Sequence, residues 1–139
     1  MSIKLKQDEL IEEFSFFDDW TQKYEYIIEM AKELKPMDSK YKTDDFLVKG
    51  CQSKVWLRGE IENNKLQLQA DSDAIISKGI VALLLRIYNN ESPDDIINNE
   101  MYFIDEIGLK EHLSPNRSNG LSSMLKKIKT YALAYTSKA

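Results

Sequence analysis

A single cysteine in 139 residues excludes an internal disulfide framework, and a single histidine leaves too few ligands for a structural zinc or iron–sulfur site within one chain. No apolar run approaches the length of a membrane span; the longest, Gly79 to Leu85, is closed by Lys78 and Arg86. Met1-Ser2-Ile3-Lys4-Leu5-Lys6 holds no apolar core of signal-peptide length, so the expected compartment is the cytoplasm, where a free thiol stays reduced. A basic excess is missing as well. Nineteen Lys+Arg against 23 Asp+Glu give a net charge of −4, which argues against non-specific nucleic-acid or anionic-membrane binding. There is no glycine-rich phosphate loop, nucleophile-elbow serine or internal repeat.

What is present is an ordinary globular composition, 42% hydrophobic and 30% charged. The length suits one domain over residues 1–139, with the first few residues and the C-terminal tail expected to fray. Leu10, Ile11, Phe14 and Phe17 fall at helical spacing. Trp20, Tyr24, Ile27, Ile28, Ala31 and Leu34 mark a second helix beginning near Asp18 or Asp19 and stopped by Pro36. Three strands are expected at Phe46–Val48, Val55–Ile61 and Lys65–Ala70, the last two joined through the tight turn that Asn63-Asn64 favours. Ser72 is the expected cap of a heavily buried helix from Ala74 to about Tyr88, and Ser92-Pro93-Asp94-Asp95 opens a short one. Ser114-Pro115 repeats that signature, and Leu121, Met124, Leu125, Ile128, Tyr131, Ala132 and Tyr135 supply the stripe of a final helix.

Cys51 stands apart from these patterns. A structural cysteine ordinarily lies inside an apolar periodic run, whereas Cys51 follows Gly50 and precedes the polar Gln52-Ser53-Lys54. Lys49 and Lys54 lie close enough in sequence to favour the thiolate, the nucleophilic form. A pairing with His112 is formally open, since such partners need only meet in space. No second cysteine is present to resolve a disulfide. A lone thiol can accept a sulfur atom, hold it as a terminal persulfide, and wait for another protein.

Val48-x-Gly50-Cys51-Gln52-Ser53-x-Val55-Trp56 resembles the signature of the SufE family of sulfur acceptors in iron–sulfur cluster assembly. Three further blocks agree in order: Asp71-Ser72-Asp73-Ala74-x-Ile76-x-Lys78-Gly79, Ser92-Pro93-x-Asp95-Ile96, and Leu113-Ser114-Pro115-x-Arg117-x-x-Gly120-Leu121-x-x-Met124. Lys49 departs from the pattern, several relatives carrying proline there. The resemblance implies an α+β fold, a three-stranded antiparallel sheet covered by helices, as in the NifU-like iron–sulfur scaffolds. It also implies that Cys51 takes persulfide sulfur from a SufS-like cysteine desulfurase, stimulates that enzyme, and passes the sulfur to a SufBCD-like scaffold complex. Such a protein is a transfer partner rather than a stand-alone enzyme. The pyridoxal phosphate belongs to the desulfurase, and no cofactor or metal is expected on this chain. Gly50, Gln52, Ser53, Asp73 and Arg117 are the expected loop or partner-binding residues around Cys51. For Asp73 the alternative is helix-start electrostatics, and for Arg117 a structural ion pair. The competing function is a single-cysteine redox sensor or peroxide-reactive protein.

Overall fold

The computed structural model describes residues 2–51 and 53–136. Helices α1 (Ile3–Ser15) and α2 (Trp20–Glu33) come first. Asp19 caps α2 by accepting the Gln22 N–H at 2.9 Å. Two short 3-10 turns, Ser39–Tyr41 and Asp44–Phe46, lead to the hairpin of β1 (Val55–Glu62) and β2 (Lys65–Ser72). Asn63 and Asn64 both take positive φ (55° and 64°) in the connecting turn, the left-handed geometry that matches strand twist in a two-residue hairpin. Next come α3 (Ile75–Tyr88), α4 (Pro93–Asn98), α5 (Phe103–Ile107) and α6 (Pro115–Thr136).

The antiparallel register sorts the strands by face. Leu57 pairs with Ala70, Gly59 with Leu68 and Ile61 with Leu66; Leu57, Leu66, Leu68 and Ala70 are buried. The opposite face pairs Trp56 with Asp71 and Arg58 with Gln69, and the Arg58 guanidinium donates to the Gln69 side-chain oxygen at 2.7 Å. Helix α3 packs against β2 and α2, with ten of its 14 residues buried. Leu10 and Phe14 of α1, Ile27 of α2, and Leu121, Met124 and Ile128 of α6 complete the core around it.

The expected third strand at Phe46–Val48 is not formed: among the described residues the sheet has two strands. Phe46 ends a 3-10 turn, and what remains is an isolated bridge between Leu47 and Trp56, with the Val48 N–H donating to the Val55 carbonyl at 2.7 Å. Strand parity explains why the bridge cannot lengthen. The Leu57 and Gly59 carbonyls share the edge that Val55 presents to Val48, and the hydroxyls of Tyr131 and Tyr135 on α6 already donate to them at 3.2 and 3.3 Å. Helix α6 begins at Pro115, as the Ser114-Pro115 signature announces, and runs straight through Gly120. A second departure concerns Ser72, which ends β2; α3 starts at Ile75 with Ala74 in the cap position.

Candidate functional site

The segment from Val48 to Lys54 connects the bridge to β1 and carries Cys51. Both its ends are pinned. At the near end, the Lys127 ammonium on α6 donates to the Leu47 carbonyl at 3.2 Å, beside the Val48–Val55 bond. At the far end the Asp73 carboxylate accepts the Lys54 N–H at 2.9 Å. The Asp73 N–H and the Ser72 hydroxyl both donate to the Lys54 carbonyl, at 3.1 and 2.8 Å. Between these ends Gly50 turns the chain at φ +93°, a region closed to most side chains. A Cβ there would also lie 2.8 Å from the Ser123 hydroxyl.

This turn lays Cys51 against α6. The thiol is half-buried and lies 3.7 Å from the Gly120 carbonyl, a weak sulfur-donor contact. Gly120 sits where any side chain would intrude: a Cβ on it would come within 3.1 Å of the Cys51 Sγ and 3.5 Å of its Cα and Cβ. The thiol faces a cavity of about 230 Å³ between the starts of α3 and α6, walled by Ser53, Ser77, Ile80, Asn116, Arg117 and Met124 among others. Burial pushes the Cys51 thiol up from its ordinary pKa, because desolvation disfavours the thiolate. Among the described residues no cation offsets it. The expectation that Lys49 and Lys54 favour the thiolate therefore fails for the isolated chain. The Lys49 charge instead bears on Lys127, whose ammonium burial and that repulsion together push down.

Cys51, Ser53 and Arg117 are brought together on the cavity wall, with Gly50 adjacent. Asp73 lies outside the wall and acts on the loop through Lys54, rather than capping α3. Arg117 makes no side-chain ion pair among the described residues; its backbone N–H is capped by the Ser114 hydroxyl at 3.3 Å, and its guanidinium is exposed beside the cavity. Gln52 lies outside the described residues. His112 stacks on Trp20 with ring centroids 4.0 Å apart and takes no part in the wall. Gly120 and Ser77 are wall residues that carried no site assignment from sequence. Gly120 was detectable as a glycine inside a long helical pattern, and Ser77 as the one serine among the apolar residues of α3.

In this α+β chain the one thiol sits in a glycine turn beside a cavity between the starts of α3 and α6. The family profile described as SufE, Fe-S metabolism associated domain, matches residues 8–132. An uncharacterised SufE-like protein of Rhizobium meliloti (strain 1021) is 38% identical over 130 residues, covering 90% of this chain and 93% of that protein. A second, from Rhizobium etli, is 40% identical over 130 residues, covering 90% of this chain and 88% of its own length. The solution structure of a hypothetical protein from Thermus thermophilus superposes with a TM-score of 0.79 at 21% identity, covering 95% of this chain and 96% of that one; it supports the fold. The chain belongs to the SufE family, a family of Fe–S metabolism. No helix among the described residues is long and apolar enough to cross a membrane.

Proposed function

We propose that this protein is a sulfur acceptor in iron–sulfur cluster assembly, with Cys51 as the acceptor. The observation that carries the reading is the placement of the chain's only thiol in a pinned glycine turn over a cavity, in a chain of this family. The donor is the persulfide on a cysteine desulfurase of the SufS-like kind, whose pyridoxal phosphate supplies the chemistry that frees sulfur from cysteine. The Cys51 thiolate attacks the outer sulfur of that persulfide. The new bond joins Cys51 Sγ to the outer sulfur, the donor's own S–S bond breaks, and the donor cysteine leaves as a thiolate. The proton lost by Cys51 ends on that thiolate or in solvent, and no external oxidant enters. A scaffold complex of the SufBCD-like kind then takes the sulfur.

The cavity supports the holding step, since a persulfide tucked there is kept from stray thiols. The raised pKa supports a protein that stays unreactive until docked: its thiol waits protonated, and release of the loop towards a donor returns it to water and eases deprotonation. The same feature counts against the redox-sensor alternative, because sensor cysteines are exposed and low in pKa. Gly50, Ser53 and Asp73 shape the loop in this reading, and Arg117 meets the partner. The test is desulfurase turnover, read as alanine released from cysteine. Wild type should stimulate it and Cys51→Ser should not; equal stimulation by both would leave an activator that carries no sulfur.

A further inference from the structure

We propose that Ser77 is a positioning residue for Cys51, its hydroxyl latching the cysteine loop closed through Ser53; the inference deepens the sulfur-acceptor reading and rests on it. Ser77 sits in the first turn of α3 and is 6% exposed, while the other buried positions of that helix are apolar, aromatic or glycine. A hydroxyl buried in such surroundings is costly unless hydrogen-bonded. Its partner is not in its own helix. The Ser53 hydroxyl, on the loop two residues after Cys51, lies 2.8 Å away. Among the described residues from Lys49 to Ser53, this is the only side-chain hydrogen bond between oxygen or nitrogen atoms; the other side-chain tie is the weak contact from Cys51 Sγ to Gly120.

The latch therefore governs the centre of the loop and not its ends, which Lys127, Asp73 and Ser72 hold independently. Both serines line the cavity that Cys51 faces. Moving the thiol out to a docked donor means lifting the loop off α3, which separates the two hydroxyls and hands each to water. Closed and open states thus differ by one net hydrogen bond, a difference that tunes the open population without preventing opening.

The experiment is a double-mutant cycle on Cys51 alkylation by iodoacetamide, using wild type, Ser53→Ala, Ser77→Ala and the double variant. Each single variant should react about fivefold faster, the factor of one ordinary hydrogen bond, and the double variant no faster than either single one. The inflection of the pH profile should move down towards that of an ordinary thiol in all three, since an open loop returns Cys51 to water. Rates and profiles unchanged in both single variants, or effects that simply multiply, would overturn the latch. Sulfur uptake from a desulfurase, followed by intact mass, separates the two levels. If wild type takes up sulfur but the cycle shows no coupling, the latch fails and the acceptor reading stands. If the cycle shows coupling but no variant takes up sulfur, the acceptor reading fails and Ser77 remains a loop latch.

Discussion

Gly120→Ala separates the demands of the helix from those of the thiol. In the interior of α6, replacing glycine by alanine favours the helix by about 1 kcal/mol. The added Cβ would stand 3.1 Å from Cys51 Sγ, so the sulfur, as the mobile end of its side chain, has to retreat by a few tenths of an ångström. The Cα and Cβ of Cys51, at 3.5 Å, are in ordinary contact and need not move. The thiol then loses its seat against the Gly120 carbonyl, worth about 1 kcal/mol at most for a sulfur donor, while the fold gains a comparable amount. The thermal midpoint should therefore stay within about 5 °C of wild type. The iodoacetamide rate of Cys51 should rise about fivefold. Its pH profile should shift down, because desolvation is what raises the thiol. A variant that reacts at the wild-type rate or more slowly would refute the reasoning, since the methyl would then be shielding the sulfur.

Gly79→Ala is the contrasting case: its Cβ would lie 2.3 Å from the Ile27 carbonyl oxygen, which is backbone and cannot swing aside, so urea unfolding should show a loss of about 1–3 kcal/mol despite the better helix former. Asp71→Asn removes the carboxylate that pairs with Lys42 at 2.8 Å and Lys78 at 3.4 Å, and should cost about 1–2 kcal/mol at neutral pH. Burial pushes the Asp71 carboxyl up, but Lys42, the Ser72 N–H and Lys78 together hold it below its ordinary pKa. The unfolded chain therefore takes up the proton first, and the contribution present above the ordinary carboxyl range fades as pH falls through it. Urea midpoints of wild type and Asp71→Asn should accordingly converge towards pH 3. Tyr88→Phe removes a buried hydroxyl that has no partner among the described residues and whose pKa is pushed up to about 12 by burial. Its thermal midpoint should be unchanged or higher, by up to about 1 kcal/mol of stability; a clear loss would mean that the hydroxyl is satisfied.

Local chemistry made much of the fold legible. Asp19, Ser92 and Ser114 cap the helices that their positions announced, and Asn63-Asn64 turns the hairpin as such a pair should. The failures share a cause: tertiary contacts that one sequence does not display. Nothing near Phe46 reveals that tyrosines far along the chain, on α6, will take the carbonyls a third strand would need. Nothing in the sequence shows that Gly120, inside α6, lies against Cys51, where a Cβ would come within 3.1 Å of the sulfur. Lys49 and Lys54 flank the thiol in sequence, but neither charge offsets its burial. The Ser53–Ser77 contact joins residues 24 apart, and only the folded chain pairs them. Cys51 and its glycine turn were readable because the loop breaks the period of its surroundings.

The central claim is that Cys51 itself receives the sulfur, and intact-mass analysis tests it most directly. Wild type and Cys51→Ser would each be incubated with a pyridoxal-phosphate cysteine desulfurase and cysteine, then weighed with and without a thiol reductant. The account predicts one added sulfur on wild type, lost on reduction and absent from Cys51→Ser. No added sulfur on wild type, or the same addition on Cys51→Ser, would contradict it.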